Sequence, residues 1–178
     1  MSPGQISLVR QRIRENRRSN DVKAILVCKS VSHGNTRKVA DVIASALDAR
    51  VVDPADITAA DLSSYDLVGF GSGIFLSKFH AELKDFVQYL PEGQRGKAFV
   101  FASRGFKDSG PTAFSGPLVE LLQEKGFEVV GNFSSRALDT FWPFKIVGGI
   151  KKGHPDAADL ASAHEFAIEL RARIGAAS

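Results

Sequence analysis

The chain has 178 residues, of which 44% are hydrophobic and 24% are charged, a composition typical of a globular protein rather than a disordered or fibrous one. Its net charge of +3 belongs to the first 22 residues, because the remaining residues hold 18 basic and 18 acidic side chains. This balance disfavours a nucleic-acid-binding face. A single cysteine excludes an intramolecular disulfide framework, and the lack of a long apolar run or signal peptide predicts a cytoplasmic protein without a membrane span.

Residues 1–22 are interpreted as a basic N-terminal extension to one domain, which spans residues 23–178. The extension carries a weak helical stripe in Ile6, Val9 and Ile13, but its high charge and lack of aromatic residues disfavour an independent core. We expect a mobile or loosely docked arm. A helix that binds a partner or a membrane surface is the alternative.

From residue 23 onward, short apolar runs alternate with amphipathic segments. The apolar runs predict five buried strands, over residues 23–30, 50–53, 66–71, 97–103 and 128–134. Helical spacing predicts helices over residues 36–49, around 83–90 before Pro91, over 117–125 before Gly126, and from Pro155 onward. Because parallel strands need crossover connections, this alternation predicts a doubly wound α/β fold: a parallel sheet with helices on both faces.

Sheets of this class bind ligands outside the carboxyl ends of their strands, where the strand order reverses. The loop after the first strand, Ser30 to Thr36, leads directly into the first helix. Its hydroxyl and amide groups, together with the free N–H groups of a helix N-terminus, are typical of a phosphate-monoester site. In this interpretation Gly34 permits close backbone approach and Thr36 caps the helix. Ordinary capping of a helix that binds no ligand is the alternative.

The sequence matches other functional motifs less well than it matches a phosphate site. The segment from Gly69 to Gly73 follows the third strand and lacks the last glycine of a dinucleotide fingerprint. The segment from Ser30 to Gly34 lacks the first glycine of a hydrolase nucleophile elbow. A response-regulator receiver needs carboxylates after the first and third strands, where residues 30–36 and 72–79 contain none. The four histidines show no metal-ligand spacing, so no metal is predicted.

Residues 32–36, followed by residues 37–40, resemble the phosphate loop and first helix of the flavodoxin-like proteins. The resemblance continues in residues 66–75, in residues 151–156 and in the last helix. It implies a five-stranded flavodoxin fold with strand order 2-1-3-4-5 and non-covalently bound FMN. By position, the residues around the FMN phosphate would be Ser30, Ser32, His33, Gly34, Asn35 and Thr36. Those beside the isoalloxazine would be Ser72, Gly73, Ile74 and Phe75 on one side and Ser103, Arg104 and Gly105 on the other.

The chain departs from the flavodoxin pattern at Val31 and His33, where electron-carrier flavodoxins have Ser or Thr. If protonated, His33 would replace a lost hydroxyl donor to the phosphate. The alternative is that His33 is a solvent-facing loop residue. Phe75 and Phe79 are candidates to stack on the flavin or to pack in the core. Four basic residues follow the third and fourth strands: Lys78, His80, Arg104 and Lys107. Their positive charge would stabilise reduced flavin; the alternative is that they are solvated surface residues.

The resemblance implies electron transfer through FMN. Electron-carrier flavodoxins are acidic and dock on basic partners, whereas this domain is neutral, so electrostatic steering would be weak. Two interpretations stay open: a carrier for a redox partner protein, or an FMN-dependent NAD(P)H oxidoreductase that reduces a small acceptor such as a quinone. The segment 137–154, with Phe141, Trp142 and Phe144, would cover the flavin, pack on the domain or form an oligomer contact. An interaction module without cofactor is a third alternative.

Overall fold

In a computed structural model of the chain, the described residues are 22–31, 34–75, 78–104, 115–135 and 155–176. Their strands are β1 (Ala24–Lys29), β2 (Arg50–Val52), β3 (Leu67–Phe75), β4 (Lys78–Phe79), β5 (Lys97–Arg104) and β6 (Glu128–Ser134). Their α-helices are α1 (Asn35–Leu47), α2 (Ala59–Leu62), α3 (Ala81–Tyr89), α4 (Gly116–Glu124) and α5 (Ala157–Ala176), and a short 3-10 helix spans Pro54–Asp56.

Five parallel strands form the sheet in the order β2-β1-β3-β5-β6. This confirms the predicted order 2-1-3-4-5. The sheet has a sixth strand that the sequence did not reveal: β4 pairs antiparallel with the end of β3, through Ile74 with Phe79 and Phe75 with Lys78. A strand of two residues is too short for a periodic signal.

A helical layer covers each face of the sheet, as predicted. Helices α1 and α5 pack on one face, where Leu26 and Phe99 lie in the core. Helices α2, α3 and α4 cover the other face, which buries Ile25 and Val100. Side chains alternate across a strand, so burial on both faces favours an apolar residue at each position. This explains why β1 is a continuous hydrophobic run from Ala24 to Cys28.

Two glycines of β3 are explained by packing within the sheet. Gly69 and Gly71 are paired in register with Phe99 and Phe101 of β5. A Cβ atom at either glycine would overlap the ring of its partner. Gly69 and Gly71 therefore make room for two buried phenylalanines, and this packing role explains the two glycines without a dinucleotide-binding site.

Two predicted features lie outside the described residues. These are the N-terminal extension, apart from Val22, and the aromatic segment 137–154. The mobile arm and the aromatic cover therefore stay predictions. Within the described ranges, no helix combines the length and hydrophobicity needed to cross a membrane.

Candidate functional site

The strand order reverses at β1, which lies between β2 and β3. The carboxyl ends of β1, β3 and β5 therefore meet along one side of the sheet, here called the carboxyl edge. Ser30 follows β1, Gly73 lies near the end of β3, and Ser103 lies near the end of β5. This is the place where sheets of this class bind ligands.

Three separate sequence motifs converge at the carboxyl edge. Thr36 Oγ1, in the first turn of α1, lies 2.6 Å from Ser103 Oγ on β5. Gly73 of β3 is paired in register with Ser103. A Cβ atom at Gly73 would lie 3.4 Å from Thr36 Oγ1 and 4.0 Å from Ser103 Oγ. The missing side chain of Gly73 thus leaves a small cradle beside the hydroxyl pair.

Helix α1 begins in a way that the sequence did not predict. Gly34 is its N-cap, with a left-handed backbone (φ 66°, ψ 17°) that glycine adopts at little cost. The prediction that Thr36 caps the helix is therefore wrong: Thr36 is the second helical residue, is 3% exposed, and turns its hydroxyl to Ser103. Ser30 Oγ accepts a hydrogen bond from the Arg37 N–H at 3.3 Å.

The first turn of α1 has an unusual charge distribution. It contains Arg37 and Lys38 but no acidic residue, and its N-cap, Gly34, has no side chain to cap it, although Ser30 Oγ accepts the Arg37 N–H. Helix N-termini carry partial positive charge, so acidic residues are favoured there. Three of the other four α-helices in the described ranges follow this preference, with Asp61 in α2, Glu82 in α3 and Asp159 in α5. A bound anion would relieve the unfavourable charge at α1.

Ser72 and His80 hold the chain reversal after β3. The buried Ser72 hydroxyl donates to the Gly73 carbonyl oxygen at 2.9 Å and accepts from the His80 N–H at 2.9 Å. His80 caps α3, because its Nδ1 accepts a hydrogen bond from the Glu82 N–H at 3.3 Å. This contact requires an unprotonated Nδ1. Both residues thus fix the start of α3 against the end of β3.

Lys29, the last residue of β1, forms an ion-pair cluster that the sequence analysis missed. Its Nζ lies 3.2 Å from Asp53 Oδ2 and 2.5 Å from Glu82 Oε2. Hydrogen bonds to Glu82 and Asp53 raise the pKa of Lys29 above its usual 10.5. Burial alone would raise the pKa of Asp53, but the Ala55 N–H and the Lys29 ammonium lower it on balance. Side chains alternate across a strand, so counting from Ile25 places Lys29 on the face of the sheet covered by α3. This alternation is the sequence pattern that could have predicted the ion-pair cluster.

The remaining predicted site residues fall into two groups. In the described ranges, Asn35 opens α1, Ile74 pairs with Arg104, and Phe75 ends β3, all at the carboxyl edge. Ser32, His33 and Gly105 lie outside the described residues, as does Lys107. Phe79 packs against the core cluster beneath α3.

Among the residues that the structure describes, no group of His, Cys, Asp or Glu side chains could hold a metal ion.

The chain is similar to several known proteins. The profile of the flavodoxin domain family matches residues 26–122. An uncharacterized protein of Methanocaldococcus jannaschii is 36% identical over 149 residues, which cover 84% of this chain and 98% of that protein.

Similar solved structures include a flavodoxin from the domain Archaea, with a TM-score of 0.62 and 19% identity over 85% of this chain and 98% of that one. Oxidised Flavodoxin 2 from Bacillus cereus has a TM-score of 0.60 and 21% identity over 85% and 99% of the two chains. The rubredoxin oxygen:oxidoreductase of Desulfovibrio gigas has a TM-score of 0.62 and 17% identity, and covers 98% of this chain and 41% of that one. Structural similarity at these levels of sequence identity shows that the chain shares their fold.

Proposed function

The chain belongs to the flavodoxin domain family, and from this premise we propose that it binds FMN at the carboxyl edge and acts in electron transfer. The observation that carries the proposal is the convergence of Thr36, Gly73 and Ser103 from three separate motifs. FMN would supply reversible uptake and release of electrons, while the protein holds and orients it. Electrons would pass to and from a redox partner protein.

The residues at the start of α1 fit the phosphate end of FMN. Apart from its chain neighbours, no atom of the described residues lies within 4 Å of the Cβ position of Gly34, so none of them blocks a ligand on that side of the backbone. The first turn of α1 contains no acidic residue that would repel an anion, and Lys38 would attract one. The Arg37 guanidinium is paired with Asp41, with Nε 2.8 Å from Oδ1. In this proposal Ser30, Asn35 and Thr36 join the predicted phosphate residues Ser32 and His33.

The residues at the ends of β3 and β5 fit the rest of the cofactor. Gly73 presents backbone rather than a side chain toward Thr36 and Ser103, so a flat or extended ligand can approach closely. Ile74 is half-buried and adjoins this position. We assign the flavin-facing role to Gly73, Ile74 and Phe75, with residues 103–105 on the opposite side.

The proposal is tested by titrating purified protein with FMN and following the quenching of flavin fluorescence. Saturable binding is expected. Gly73→Ala should weaken binding about tenfold or more, because the added methyl fills the cradle. Its melting temperature should change little, since 3.4 Å is an ordinary contact distance. Gly96→Ala, before β5 at the opposite end of the sheet, is the matched control and should bind as the wild type does.

A wild-type protein without FMN affinity would contradict the proposal, and so would a Gly73→Ala variant with undiminished affinity. A second assay separates a carrier from an oxidoreductase. A carrier requires a separate reductase, so the isolated protein should not reduce quinones with NAD(P)H. Turnover under these conditions would overturn the carrier assignment while leaving FMN binding intact.

A further inference from the structure

We propose that Thr36 and Ser103 form a directional hydroxyl pair through which an anion at α1 makes Ser103 a hydrogen-bond acceptor for the adjoining part of the ligand. The inference rests on the proposed FMN binding. Through this pair the site would prefer FMN to riboflavin, the same molecule without its phosphate. Both residues act on affinity by positioning and take part in no chemical step.

The hydroxyl groups of Thr36 and Ser103 are in short contact. Thr36 Oγ1 and Ser103 Oγ are 2.6 Å apart, and either atom can be the donor. Each hydroxyl has one proton to donate and two lone pairs that accept. The pair therefore has two arrangements. Either Ser103 donates to Thr36, which frees the Thr36 proton, or Thr36 donates to Ser103, which frees the Ser103 proton.

The ligand selects between these arrangements. An ionised phosphate only accepts hydrogen bonds, and it favours donors at a helix N-terminus. A phosphate that accepts the Thr36 proton requires Ser103 to donate its own proton to Thr36. Ser103 then has only lone pairs to offer, and a donor on the remaining ligand, such as a ribityl hydroxyl, satisfies them. A chain of aligned hydrogen bonds is stronger than its separate members.

The position of the pair supports this coupling. Thr36 is 3% exposed, and its hydroxyl is within hydrogen-bond distance of Ser103 Oγ. Gly73 lies beside both oxygens without a side chain, and apart from these two oxygens and its chain neighbours no atom of the described residues lies within 4 Å of its Cβ position. Thr36 stands in the first turn of α1, and Ser103 lies at the end of β5. The pair therefore links the proposed phosphate end of the site to the proposed ring end.

The test measures dissociation constants for FMN and for riboflavin in the wild type, Ser103→Ala, Thr36→Val and the double variant. Ser103→Ala should weaken FMN binding about tenfold and riboflavin binding about twofold or less. In the Thr36→Val background, Ser103→Ala should have little further effect on FMN, since the relay is already broken. Ser103→Thr keeps the hydroxyl and should restore the preference for FMN.

The control is Ser63→Ala, which removes a hydroxyl that bonds the Ala60 carbonyl oxygen, away from the carboxyl edge. It should leave both affinities unchanged. Equal loss of FMN and riboflavin affinity in Ser103→Ala would overturn the directional pair while the proposed function stands. A wild-type protein that binds neither flavin would overturn both. If Thr36→Val does not fold, as judged by circular dichroism, the ligand comparison in Ser103→Ala alone decides the question.

Discussion

The ammonium group of Lys29 lies 3.2 Å from the carboxylate of Asp53, and this contact joins the last residue of β1 to the first residue after β2. Glu82 binds the same ammonium group from the first turn of α3. Ser30, the first residue of the predicted phosphate loop, follows Lys29 directly. The ion pairs therefore hold the point from which this loop leaves the sheet.

Lys29→Met should lower the urea midpoint of unfolding at neutral pH, because it leaves Asp53 and Glu82 without their cation. Folding lowers the pKa of Asp53 below 3.8, so its contribution is present above that pH and is lost as pH falls through the folded value. Folding raises the pKa of Lys29 above 10.5, so its contribution is present below that pH and is lost as pH rises past the folded value.

The difference between wild type and Lys29→Met should therefore be largest between these limits and shrink toward both extremes of pH. Urea midpoints measured across the pH range provide the test. Lys84→Met removes an exposed lysine of α3 and serves as the control. A difference that is independent of pH would show that the lysine stabilises the fold through packing of its methylene groups.

Asn35→Asp should stabilise the ligand-free protein by about 0.5 kcal/mol, because it places a negative charge in the first turn of α1. The same carboxylate should weaken FMN binding about tenfold by repelling the phosphate. Gln88→Glu makes the same charge change near the end of α3 and should reproduce neither effect. Stability and affinity that rise together would argue against an anion site at α1.

Gly126→Ala should destabilise the fold by about 2 kcal/mol or more. The residue has φ 102°, and a Cβ atom there would lie 2.6 Å from the Gln94 carbonyl oxygen. Gly93→Ala is the matched comparison, since its φ is 80° but its Cβ would meet open space. It should cost only the backbone strain, about 1 kcal/mol. Urea unfolding of the two variants measures the difference, and equal losses would refute the steric contribution.

Cys28 should resist thiol reagents in the folded protein. Burial raises the pKa of its thiol to about 12, and the residue is 4% exposed. At pH 8 the reactive thiolate is then about a thousandfold scarcer than in an unfolded chain. Because the chain has one cysteine, the absorbance change with an aromatic disulfide reagent reports this site alone. Slow labelling that becomes rapid in guanidinium is expected, and rapid labelling of native protein would contradict the buried position.

The strands were the part of the fold most accessible to prediction. The strand over residues 128–134 was predicted with both of its bounds, and β1 within one residue at each end. Burial on both faces imposes a continuous apolar run, which is visible in a short window of sequence. Short elements such as β4 and α2 contain too few residues to show a period.

The beginning of α1 shows where local prediction failed. A hydroxyl at Thr36 fits the usual pattern of an N-cap, but Gly34 takes that position with a left-handed backbone. The hydroxyl is used instead by Ser103, which is 67 residues away in the chain. No local pattern identifies a partner at that distance.

By itself, the sequence determined the parallel α/β architecture and the polar loop at the start of the first helix, because both depend on residues close together in the chain. Only the tertiary structure decided that Thr36, Gly73 and Ser103 meet, and that Lys29 bridges Asp53 and Glu82. The physical reason is the strand order. It brings the carboxyl ends of strands that are distant in sequence to one edge, where their side chains find partners through space.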